Sequence, residues 1–133
     1  MRLMLPVFSL LVLSSTAQAF VCDYSYTIDD PEDTTVEAIV QIEKIYGQET
    51  LVIRENGSAE GDVRGVIFGF AVTGKKQNRL GDTLIDASAE DPDFGISLNV
   101  RLRVPAVLPG EGTLTYSEGS ESYPSETVYC RNR

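Results

Sequence analysis

The stretch "ISLNVRLRV", residues 96–104, limits the possible fold more than any other part of the chain. Ile96, Leu98, Val100, Leu102 and Val104 fall on one face of an extended segment, and Ser97, Asn99, Arg101 and Arg103 fall on the other. Successive side chains of a strand point to opposite faces, so a period of two predicts a strand with one side on a core and one in water. The rhythm recurs in "CDYSYTI", with Cys22, Tyr24, Tyr26 and Ile28 inward and Asp23, Ser25 and Thr27 outward.

"TVEAIVQIEKIYGQETLVIRE" predicts a hairpin in which Val36, Ala38, Val40 and Ile42 share a face, with Gly47-Gln48 placed as a two-residue type II′ turn. Thr34 and Glu37 have the spacing of a helical capping box. At helical spacing, however, the apolar residues would spread over more than half the circumference, and β-branched residues favour a strand. In "VRGVIFGFAVT", Val66, Phe68, Phe70 and Val72 alternate with Gly65, Ile67, Gly69 and Ala71. Neither face is charged over its middle, which predicts a central strand covered on both sides.

"DTLIDAS", "TLTYS" and "ETVYCR" are shorter strand candidates. Between the candidates lie "DDPEDT", "ENGSAEGD", "TGKKQN", "AEDPDFG", "VLPGEG" and "SEGSESYPS", all rich in turn-forming residues. The expected fold is all-β, an antiparallel sandwich or small closed barrel of about eight strands.

Residues 1–19 have the layout of an export signal: Arg2, the apolar "LPVFSLLVL", then "SSTAQA" with Ala17 and Ala19 at cleavage-site spacing. The apolar run is about half of the roughly 20 residues a membrane helix needs. The expected organisation is a cleaved signal peptide over 1–19 and a single all-β domain over 20–133, long enough for one modest core. Bulky Phe20 and Val21 stand before Cys22, where a lipid-modified cysteine would follow small residues, so no membrane attachment is expected after cleavage.

Cys22 and Cys130 are the two cysteines of the chain. Both fall on inward phases of terminal strands, Cys130 in step with Val128. An even pair in a small exported domain predicts one disulfide joining the first strand to the last, in a periplasmic or secreted protein.

The 133 residues carry 11 basic and 20 acidic side chains, no histidine and a net charge of −9, which loss of Arg2 with the leader would take to −10. Such a field repels nucleic acid and anionic headgroups and favours solubility or a cationic partner. Without histidine, and with both cysteines paired, serine and cysteine nucleophiles lack their base and zinc lacks its usual ligands. The glycines of "GVIFGF" lack phosphate-cradling context. Among so many acids some pair always has a glycosidase-like separation, so carboxylate pairs point to no site. The expectation is a non-enzyme without cofactor.

The loop "SEGSESYPSE", residues 117–126, supplies the candidate partner-binding residues Glu118, Ser120, Glu121, Ser122 and Tyr123. A tyrosine among small polar neighbours offers contact area at low entropic cost. Two acidic turns carry oxygen ligands of the kind calcium prefers: "DDPED" (Asp29, Asp30, Glu32, Asp33) and "EDPDFG", with Asp91 and Asp93 as weak candidates. Neither has EF-hand spacing and Asp-Pro is an ordinary turn former, so no metal is expected. Lys75, Lys76 and Arg79 share a predicted loop, and Arg101 and Arg103 line one strand, where pairing with cross-strand acids is expected.

These features predict a monomeric, exported binding module for a cationic protein, for instance a cell-wall hydrolase that it inhibits. The alternative is a structural subunit of a surface fibre or envelope assembly that pairs through an open sheet edge. A small-ligand carrier ranks third, because a barrel of this size is expected to be filled mostly by its own side chains; a sizeable apolar cavity would favour it.

Overall fold

A computed structural model describes residues 20–28, 34–57, 66–91 and 95–133. The predicted signal peptide, Asp29 to Asp33 and Asp93 lie outside the described residues. Among the described residues nine strands follow one another: β1 (Phe20–Ile28), β2 (Thr34–Ile45), β3 (Gln48–Gly57), β4 (Val66–Gln77), β5 (Thr83–Asp91), β6 (Ile96–Val104), β7 (Gly110–Glu118), β8 (Glu121–Ser122) and β9 (Glu126–Asn132). The described residues contain no helix.

Every pairing is antiparallel, and the order runs β1 to β7 and then through β9 back to β1. The result is a closed eight-stranded barrel, with the two-residue β8 added to the end of β7. Closure decides between the two predicted architectures: each barrel strand pairs on both sides, although residues 24–28 of β1 extend beyond its register with β9 and residues 66–70 of β4 beyond its register with β5.

The inward phase of each strand supplies the core. Val40, Leu51, Ile53, Ile85, Val100, Leu102, Leu114 and Val128 are fully buried, together with Cys22 and Cys130. Cys22 and Cys130 stand directly opposite in the β1–β9 ladder and are joined by the predicted disulfide, which is consistent with an oxidising compartment. Burying each large aliphatic side chain stabilises the barrel by about 1.5–3 kcal/mol before entropy is counted.

Several local expectations change. The hairpin turn is Tyr46-Gly47, one residue earlier than predicted, with φ of 51° and 79° between the paired Ile45 and Gln48. Two positive φ values make it a type I′ turn rather than II′, whose twist matches the flanking strands. β4 is not covered on both sides: Ile67 on its outer face is 65% exposed, because a barrel has no second layer to cover it. The same strand continues through most of "TGKKQN", so Lys75 and Lys76 are strand residues and only Arg79 lies in the turn. A register shift between Val72 and Gly74 breaks the period of two that sequence reading follows, and the strand resumes beyond it. β7 likewise begins at Gly110, inside a stretch read as turn. A Cβ on Gly112 would come 2.1 Å from the carbonyl oxygen of Arg103, so only glycine lets β7 lie this close to β6.

Candidate binding site at the open barrel mouth

The two ends of the barrel are built differently. One end holds the Tyr46-Gly47 turn, the turn at 78–82, the connection at 105–109 and the start of β1. There the Asn78 side-chain oxygen accepts from the backbone N–H of Leu80 (2.9 Å) and Asp82 (3.0 Å). Buried Asp82 in turn accepts from Ala106 N–H at 3.0 Å, Arg103 at 3.1 Å and the Asn78 amide at 3.3 Å, tying two neighbouring turns together. Hydrogen bonds from Asn78 and Ala106, with Arg103, hold its carboxyl below the ordinary aspartate range.

At the other end the inward positions stop being aliphatic. Tyr24 and Tyr26 come from β1, Glu55 from β3, Phe68 and Phe70 from β4, Leu98 from β6, Tyr116 from β7 and Glu126 from β9. They surround a cavity of about 440 Å³ above the aliphatic plug. The sequence expectation of a mostly filled interior therefore holds for the plug and fails at the mouth. Strand geometry explains the convergence, since eight residues from six strands meet only because each occupies the inward phase near one rim.

The polar atoms of the mouth are sparsely partnered. Tyr26 Oη donates to Glu55 Oε2 at 2.9 Å, and the hydroxyls of Tyr24 and Tyr116 lie 3.4 Å apart. The rings of Tyr24 and Tyr26 are near-parallel, 6.3 Å between centroids. Burial, then the hydrogen bond to Glu55, pushes the Tyr26 hydroxyl up to about 12. Burial also raises Tyr24, with its Tyr116 contact adding to the effect. Burial raises Tyr116 too, helped by the negative charges of Glu55 and Glu126 and opposed by the hydrogen bond to Tyr24.

Comparison with family models, with curated proteins and with solved structures finds no match to this chain. The site must be read from its own chemistry.

Cations are distributed unevenly. Among the described residues, Glu55, Glu90, Glu118, Glu121 and Glu126 stand toward the open rim; Arg54, beside Glu55 on β3, faces the outer wall, where it pairs with Glu43. On the wall and at the other end, basic residues meet acids. Arg101 binds Asp86 through two hydrogen bonds of 2.7 and 3.0 Å, and Lys75 reaches Glu49 at 2.8 Å. Arg103 pairs with Asp82, Arg54 with Glu43 and Arg131 with Asp23. The predicted pairing of Lys75, Arg101 and Arg103 is thus observed.

A larger concavity of about 620 Å³ lies on the outer wall across β1 to β4, beside Ile39, Ile67, Arg54 and Arg131. Both arginines there are already paired, and the surface lacks the converging aromatic faces of the mouth.

Of the residues singled out from sequence, Glu118, Ser120, Glu121, Ser122 and Tyr123 do come together, on the β7–β8 hairpin at the open rim. Tyr123 is 42% exposed; its N–H donates to Tyr116 O at 3.0 Å and its hydroxyl to Glu118 Oε2 at 3.2 Å. The charge of Glu118 raises the Tyr123 hydroxyl above its usual range. This hairpin borders the mouth but does not line it. Asp91 ends β5 at the same rim, and no group of three or more potential metal ligands occurs among the described residues.

The mouth itself was missed. Its residues fall on core phases and so read as core. The available signal was the pair Glu55 and Glu126, which continue the inward series Leu51, Ile53 and Val128, Cys130. An acid on a core phase at a strand end marks where the core gives way to something else.

Proposed function

We propose that the protein is an exported, non-catalytic binding module that docks a cationic protein partner through the open rim of its barrel. An excess of acid toward the rim carries this reading: Glu55, Glu90, Glu118, Glu121 and Glu126 stand there, and Arg54 beside them is already paired with Glu43, as Lys75, Arg101 and Arg103 are paired with acids elsewhere. A field of one sign concentrated at one end steers a partner of opposite sign toward it and orients the encounter. A basic cell-wall hydrolase fits such a surface in a periplasmic or secreted setting, with the β7–β8 hairpin as the natural first contact.

Barrel closure pairs each barrel strand with a neighbour on both sides over part of its length, which favours docking over the strand-edge pairing that a fibre subunit would use. The test is titration against basic envelope hydrolases at rising ionic strength. Affinity should fall steeply with salt, and Glu118→Gln/Glu121→Gln should weaken binding mainly through the association rate. Affinity indifferent to both salt and substitution would overturn the proposal.

A further inference from the structure

The rim accounts for a surface, not for the space behind it. The mouth cavity of about 440 Å³ lies within the roughly 300–1,000 Å³ typical of small-molecule pockets. Its walls combine three tyrosines, two phenylalanines and Leu98 with the carboxylates of Glu55 and Glu126, and no lysine or arginine lines it. Within it, Tyr26 donates one hydrogen bond to Glu55, and each carboxylate has two oxygens with room for several donors.

Each class of occupant meets this lining differently. An anion would face two carboxylates with no cation to offset them. A neutral apolar molecule would cover the aromatic faces but strip water from the carboxylates without replacing it. An organic cation meets both requirements: its charge answers the glutamates, its body covers Phe68, Phe70 and Leu98, and the ring faces attract it further. We propose that the barrel mouth is a binding site for a small organic cation, an ammonium group carried on an aliphatic or aromatic body. The ammonium sits by Glu55 and Glu126 among the tyrosines, and the body lies against Phe68, Phe70 and Leu98.

The test uses the disulfide-closed protein and three probes of similar shape: benzyltrimethylammonium, neutral benzyl alcohol and anionic phenylacetate. The chain has six tyrosines and no tryptophan. Three of those tyrosines line the mouth, so intrinsic tyrosine emission reports on it directly, with calorimetry as a second readout. Benzyltrimethylammonium should bind saturably at one site, about tenfold or more tighter than either other probe, as cation–π and ionic contacts of this size allow. Glu55→Gln/Glu126→Gln should erase that preference while leaving the weak binding of benzyl alcohol unchanged, and a retained unfolding temperature shows that the barrel persists. Glu118→Gln/Glu121→Gln should leave probe binding intact, which separates this site from rim docking whatever becomes of the latter. Equal affinity for the three probes, no saturable binding of the cation, or a preference untouched by the Glu55 and Glu126 substitutions would overturn the proposal.

Discussion

The two ends of this barrel share one set of strands and obey opposite rules. At the turn end, tight connections satisfy their own backbone, Asp82 knits two of them together, and the disulfide locks β1 to β9 two residues inside the rim. At the mouth end, the inward positions turn aromatic and acidic, the interior opens, and few hydrogen bonds hold the polar groups. On the proposed binding reading, the difference teaches that stability and recognition fall to different ends of one sheet. An end that binds must leave space and unspent polar capacity, both of which cost packing; the other end and the plug supply the stability that offsets this.

The largest effect should come from the staple. Cys22 and Cys130 are 108 residues apart, and a loop of that order is worth about 4.7 kcal/mol in the chain-entropy model. Cys22→Ser/Cys130→Ser should therefore lower the urea midpoint severely and raise the slope of the transition, because the unlinked denatured chain expands and exposes more surface. A loss below about 1 kcal/mol would mean that the hydrogen-bonded ladder closes the barrel unaided, and the disulfide would no longer distinguish the two ends.

Plug and mouth can then be set against each other directly. Leu102 is fully buried and Phe68 is 43% exposed at the rim. Leu102→Ala should cost about 2–5 kcal/mol, because it leaves a void where neighbours cannot collapse. Phe68→Ala removes a larger side chain yet should cost about 1 kcal/mol, as its ring gives up little buried area. Equilibrium unfolding of the two variants checks this, and equal losses would show the mouth to be part of the structural core.

How much of this was legible beforehand follows the same division. The strand "ISLNVRLRV" matches β6 residue for residue, and the inward phases of Cys22 and Cys130 anticipated their bond, because period-two burial is a local property that sequence displays directly. Barrel closure was not legible, since it depends on β9 pairing with both β1 and β7 across most of the chain. The bulge after Val72 and the close approach at Gly112 hid strand residues inside glycine-containing stretches that resemble turns. That Glu118 to Tyr123 share one turn was legible because they are neighbours in one segment. The mouth was not found, because its lining is assembled from six strands and each member looks like core.

The two ends should also respond to opposite extremes of pH. Asp82 at the turn end and Asp86 on the wall have folded pKa values below their unfolded ones, held there by hydrogen bonds from Asn78 and Arg101 respectively. Their contribution is present above the unfolded value of 3.8 and is lost as pH falls through the folded values. The mouth tyrosines run the other way. With Tyr26 raised from 10.0 to about 12, its contribution is complete below pH 10 and disappears between there and about 12, as the unfolded chain releases its proton first. Asp82→Asn should flatten only the acid limb of stability against pH, and Tyr26→Phe only the alkaline limb. Ultraviolet titration of tyrosine should further show Glu55→Gln drawing Tyr26 down toward its ordinary value, since that carboxylate accepts its proton.

The smallest expected effect is a gain. Tyr46 sits at φ 51° in the type I′ turn, a left-handed conformation that costs an L-residue with a bulky side chain about 1 kcal/mol, and its ring is fully exposed. Asparagine adopts this conformation readily, and Asn-Gly is the preferred type I′ pair. Tyr46→Asn forfeits no packing, so it should stabilise the barrel by about 0.5–1 kcal/mol, read as a higher urea midpoint at unchanged slope. Binding at the mouth should be unaffected, because the turn lies at the opposite end. If affinity for a cationic probe moved with the turn, the two ends would be coupled through the strands, and the separation of stability from recognition would fail where it is easiest to test.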